Sequence, residues 1–167
     1  MANRLATMCI VVMFLGGLAA PFAEAQDSDS HVVSLKGISA LAVLVERLPD
    51  GAKVLGLTKE TIQTDVEQKL RLGGVRVVAA EEAQRLPGGP HLYVNVNLTN
   101  DGRVAKIDVE LDQDITLVRN DQSVPAVATW KRGGLIAPNS SAQQIRDVIK
   151  AIVNQFLNAW RSVNPKK

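Results

Sequence analysis

Asp108, Glu110, Asp112 and Asp114 recur at every second position, so a β-strand through them places four carboxylates on one face. Oxygen ligands of this kind hold hard cations. Same-face neighbours on a strand stand about 6.6 Å apart, however, too far for several to converge on one ion without a loop. The row therefore reads as a solvated, charged strand face of the kind that discourages edge-to-edge aggregation. A second chemistry comes from His91 and Tyr93. An imidazole beside a carboxylate is half of an acid–base apparatus, and His91 meets Asp112 if their segments pair. The pair has no evident nucleophile and lies on an open face. It reads as an ordinary cross-strand polar contact, with a small hydrolase using His91 and Asp112 as the rival reading. No catalytic residue is assigned.

Other chemistry is not encoded. The chain has no G-x-S-x-G elbow, no H-E-x-x-H, no Walker loop and no G-x-G-x-x-G opening a helix. The pairs Gly73-Gly74, Gly88-Gly89 and Gly133-Gly134 read as breakers at element ends. Cys9 is the only cysteine, and it lies inside an apolar segment expected to be removed. The mature chain is then left without a disulfide, a thiol nucleophile or a thiolate metal site. No metal and no cofactor is expected. The 19 basic and 17 acidic residues give a net charge of +2, and losing Arg4 and Glu24 with that segment leaves the balance unchanged. Such a balance predicts no nucleic-acid partner. The sequons Asn97-Leu98-Thr99 and Asn139-Ser140-Ser141 matter only in a eukaryotic secretory pathway.

The elements that position His91 and the carboxylates are legible from alternation. Leu92, Val94, Val96 and Leu98 share one parity, and Ala105, Ile107, Val109 and Leu111 share another. With Asp101-Gly102 as a two-residue hairpin turn, Leu98 opposes Ala105, Val96 Ile107, Val94 Val109, and Leu92 Leu111. The second face then pairs Asn97 with Lys106, Asn95 with Asp108, Tyr93 with Glu110 and His91 with Asp112. A slip of one residue would turn every apolar group to water, so pattern and turn support one register. The second strand runs on through Gln113, Ile115 and Leu117. After a loop at Asn120 to Ser123, Val124 to Lys131 returns with Ala126, Ala128 and Trp130 on the core parity, and Gly133-Gly134 closes the meander.

Upstream, Ile38 to Val45 is apolar on both parities, as in a central strand. Pro49-Asp50-Gly51 ends it. Thr58 caps a helix over 59–72 in which Ile62, Val66 and Leu70 form the buried stripe. Val75 to Ala79 is a second strand, parallel to the first through a βαβ crossover, and Glu81 to Arg85 a helical turn. Asn139-Ser140-Ser141 starts a last helix with a stripe from Ile145 through Val148, Ile149, Ile152, Phe156 and Leu157 to Trp160. These elements predict an α/β (α+β) two-layer sandwich: a βαβ unit, a three-stranded antiparallel meander and a C-terminal helix. One sheet face stays open, and His91, Tyr93, Asn95, Asp108, Glu110 and Asp112 are the candidate partner-binding residues on it.

Arg4, the uncharged run from Leu5 to Ala23 and Ala23-Glu24-Ala25 come in the order of a secretory signal cleaved after Ala25. The expected organisation is a signal peptide over 1–25, a polar leader over 26–35, one domain over 36–163 and a tail over 164–167. No stable membrane anchor remains after cleavage. In element order the mature chain resembles small α/β periplasmic modules, namely the globular part of the curli-secretion lipoprotein and the amino-terminal domain of the Tol translocation protein. That resemblance implies a periplasmic or secreted, non-catalytic binding or assembly module of the bacterial envelope. Its partner would be an envelope protein or a second copy; a self-assembling structural protein is a further alternative.

Overall fold

The computed structural model describes residues 29–137 and 139–165. The stretch expected to be a signal peptide, Cys9 within it, and Lys166-Lys167 lie outside the described residues. The elements, in chain order, are α1 (Asp29–Val33), β1 (Ala40–Val45), α2 (Gly51–Val54), α3 (Lys59–Leu72), β2 (Arg76–Val77), α4 (Ala80–Ala83), β3 (His91–Leu98), β4 (Ala105–Leu117), β5 (Gln122–Ile136) and α5 (Ala142–Val163). The strands form one mixed sheet in the order β2-β1-β3-β4-β5. β1 is parallel to both β2 and β3, and β3, β4 and β5 form the antiparallel meander. The architecture is the α/β sandwich that the sequence predicts, with α3 and α5 as its helical layer.

The helices form where their ends are chemically marked. Thr61 N–H donates to Thr58 Oγ1 at 3.1 Å, satisfying one of the free donors of the first turn of α3. Ser141 does the same for α5, and Gln144 returns a bond to the Ser141 N–H, completing a capping box. Ile62, Val66 and Leu70 of α3 and Ile145, Ile149, Phe156 and Leu157 of α5 are buried in one cluster with Leu92, Val94, Ile107, Val109 and Leu111 of the sheet. Trp130 joins it, edge-on to Phe156 with ring centroids 5.3 Å apart. The helices are also tied to each other. Asp65 receives Arg146 through two bonds of 2.6 and 3.0 Å and Lys150 at 3.3 Å. Arg161 donates to the Gly73 carbonyl that ends α3.

Three expectations change. Packed structure begins inside the stretch read as a polar leader: α1 occupies Asp29–Val33 and Leu35 is fully buried. At the other end the Asn164 amide donates to the Leu35 carbonyl at 2.9 Å. β2 holds only two residues, Arg76 and Val77. Gly133-Gly134 does not close the meander but lies within β5. A Cβ on Gly134 would stand 2.8 Å from Val148 Cγ1, so this position lets α5 approach the sheet.

Candidate functional site

The β3–β4 register matches the sequence reading at all eight pairs, from His91 opposite Asp112 to Leu98 opposite Ala105. The turn differs. Gly102 N–H donates to Thr99 O at 2.8 Å, Thr99 N–H donates to Val104 O at 3.1 Å, and Gly102 takes the left-handed conformation with φ +67°. The loop thus has four residues, Asn100 to Arg103, rather than two. Its midpoint is unchanged, and a loop of even length about the same midpoint preserves the pairing. Asp101 supports it by accepting from Arg103 N–H and Thr99 Oγ1.

β5 departs from simple alternation. Between Leu111 and Asp112 its partner jumps from Trp130 to Ala128, and between Gln113 and Ile115 from Val127 to Val124. Each jump is a bulge that adds a residue to β5 and reverses the facing of the residues beyond it. Trp130 is therefore buried, as expected, but Ala126 and Ala128 are exposed rather than in the core. Ala126 sits at φ +51°. Its N–H is taken by Asp114 Oδ1 at 3.0 Å, which gives that carboxylate a structural role.

On the open face the carboxylates are not the solvated row expected from alternation. Asp108 is only 6% exposed, with Lys106 Nζ at 2.9 Å and Lys131 Nζ at 3.6 Å. Lys131 also donates to Glu110, a bond that raises the lysine pKa from its ordinary value. Gly133 stands opposite Asp108, and the missing side chain leaves the carboxylate its place. The resulting chain, Lys106, Asp108, Lys131 and Glu110, crosses two strands and alternates in sign.

His91 and Asp112 do meet, Nε2 to Oδ2 at 3.5 Å, while His91 Nδ1 faces Gly89 O at 3.3 Å. Both ring nitrogens thus face acceptors, and among the described residues neither is bonded to a hydroxyl or thiol that could serve as a nucleophile. Asp112 Oδ1 is buried without a hydrogen-bond partner among the described residues. Burial pushes the Asp112 carboxyl above its ordinary range, and Glu110 adds repulsion that His91 and Lys131 oppose. Tyr93 donates its hydroxyl to Glu46. That bond, followed by burial and the nearby carboxylates, pushes the phenol up to about 12, and the same bond lowers Glu46.

Asn95 and Asn97 lie next to one another at the far end of the face, with Asn97 Nδ2 donating to Asn95 Oδ1 at 3.2 Å. All six candidate residues therefore share one face. The six candidate residues do not include Glu46, Lys131 or Gly133. Glu46 comes at the end of a parallel strand whose register no tight turn marks, and the bulges of β5 set Lys131 opposite Glu110, a pairing that parity alone does not give. Among the described residues no cluster of three or more His, Cys, Asp or Glu could hold a metal ion, and no helix is long and apolar enough to cross a membrane.

No protein-family model and no curated protein matches the chain. A solved structure similar to it is a PelC dodecamer from Paraburkholderia phytofirmans, at 17% identity and a TM-score of 0.40, covering 75% of this chain and 90% of that one. The likeness is too distant to bear on fold or function.

Proposed function

We propose that the chain is an exported, non-catalytic binding or assembly module of the bacterial envelope, acting in the periplasm or outside the cell after cleavage following Ala25. Its partner, an envelope protein or a second copy, docks on the open face of β3 and β4. The observation that supports this reading is the construction of that face. Its charges are held in a fixed alternating chain by Lys106, Asp108, Lys131 and Glu110, and Tyr93 is held by Glu46. A surface whose side chains are already ordered loses little entropy on docking, and aromatic and charged groups are the usual anchors of such contacts. The hydrolase alternative has the His91–Asp112 contact behind it, but both imidazole nitrogens face acceptors.

A photo-crosslinking residue at Lys106, which is exposed on the face, tests the proposal against one at Leu72, which is 80% exposed at the end of α3. In the native host the Lys106 position yields one defined product and the Leu72 position does not. No product from Lys106, or the same product from both, would reject docking on this face. Turnover of a substrate that is lost in a folded His91→Ala variant would establish the hydrolase instead.

A further inference from the structure

A groove of about 480 Å³ lies where β1 ends and β3 continues, walled by the segment 46–50 on one side and by Asn95, Asn97 and Asn100 on the other. We propose that this groove, at the end of the open face where Asn95 and Asn97 lie, binds a neutral saccharide.

The charge inventory supports an uncharged ligand. Glu46 accepts from Tyr93 and from Arg47 N–H, and Asp50 holds Lys53 at 2.8 Å. Arg47 shares the wall with these two carboxylates, and Lys53 neutralises Asp50 from outside it, so the charges of the groove and its rim balance. Its uncharged hydrogen-bonding groups are three carboxamides. Each offers two N–H donors and a carbonyl acceptor. The Asn97-to-Asn95 bond fixes two of these amides side by side and leaves the Asn95 NH2 and the Asn97 carbonyl without partners among the described residues.

A donor and an acceptor at adjacent positions match vicinal hydroxyls, each of which both donates and accepts. Leu48 and Pro49 add apolar surface beside the polar groups, which suits the C–H faces of a pyranose. The volume lies within the range of small-molecule sites, about 300–1,000 Å³. An apolar ligand would leave the amides unpaired, at a cost that polar recognition avoids.

The test uses the side-chain NH2 signals of the purified, isotope-labelled protein, titrated separately with maltotriose, tri-N-acetylchitotriose and trialanine. With a saccharide, the Asn95, Asn97 and Asn100 signals move while those of Asn154 and Asn158, exposed on α5, stay. Asn97→Ala combined with Asn100→Ala, both at exposed positions, weakens that binding by about tenfold or more, the loss expected for two neutral hydrogen bonds. The proposal is overturned if neither saccharide moves these signals, if the double variant binds as tightly, or if trialanine moves them as strongly, which would mark a peptide site. Because Lys106 stands opposite Asn97, the crosslinking is repeated in the Asn97→Ala, Asn100→Ala double variant: a protein product retained there while saccharide binding is lost separates the two contacts, and loss of both together overturns a groove that binds saccharide on its own.

Discussion

Gly133 and Asp108 are neighbours across the β4–β5 ladder, and a Cβ at Gly133 would lie 3.0 Å from Asp108 Oδ1 and 3.2 Å from the Ile107 carbonyl. The glycine is the reason a carboxylate in mid-sheet can lie flat enough to be covered. Gly133→Ala crowds both atoms and should cost about 1–3 kcal/mol, the usual range for overpacking. Asp108→Ala removes the shared partner of Lys106 and Lys131 and should cost about 1–2 kcal/mol, since both lysines stay solvated. In a double-mutant cycle by urea denaturation the two losses should be less than additive, because removing the carboxylate relieves part of the crowding. Strict additivity would show that the two residues do not interact.

Tyr93 is the only tyrosine in the chain, so phenolate absorbance reports it alone. The midpoint should lie at about 12, well above the ordinary value of about 10. Glu46→Gln removes the charged acceptor and should bring the midpoint back toward the ordinary value, with circular dichroism confirming that the fold persists over the range. A wild-type midpoint at the ordinary value would mean that the bond is absent in solution.

Asp65 joins α3 to α5, and hydrogen bonding from Arg146, with Lys150 adding to it, lowers its pKa below 3.8. A carboxyl whose folded pKa is depressed contributes stability above its unfolded pKa and loses it as pH falls through the folded one. The contribution is therefore full at neutral pH and is lost below 3.8. Asp65→Asn should lower the neutral-pH melting temperature and flatten the acid limb of the melting profile. Arg146→Lys should recover only part of the effect, because a lysine cannot make the two-pronged contact. An unchanged acid limb in Asp65→Asn would contradict the assignment.

Asp112 has the opposite sign. Burial raises its pKa above 3.8, so the folded state binds this proton more readily than the unfolded state. Stability from this group therefore increases as pH falls through the raised folded pKa, and is constant below the unfolded one. Measured between about pH 6 and pH 4, the stability of the wild type relative to Asp112→Asn should shift in favour of the wild type. A shift the other way would mean that His91 outweighs burial.

The hairpin register, the cap and stripe of α3 and the capped α5 were all legible in the chain, for one physical reason. Each rests on contacts between residues close in sequence or on a pattern whose period matches the backbone's own. Thr58 reaches a donor three residues on, and alternation about the Asn100 to Arg103 midpoint sets the pairing whatever the turn type. The membership of the open face came from the same alternation.

The features that only the tertiary structure decided depend on residues distant in the chain. The bulges that expose Ala126 and Ala128 are supported by Asp114 from the neighbouring strand, a contact that alternation within β5 does not show. Asp108 is buried because Lys131 and Gly133 come back beside it more than twenty residues later. Tyr93 is held by Glu46 because β1 lies parallel to β3 and stops short of its end. The groove exists for the same reason. The length of a parallel strand relative to its neighbour is set by how the intervening crossover packs, and that packing energy is not written in the period of either strand.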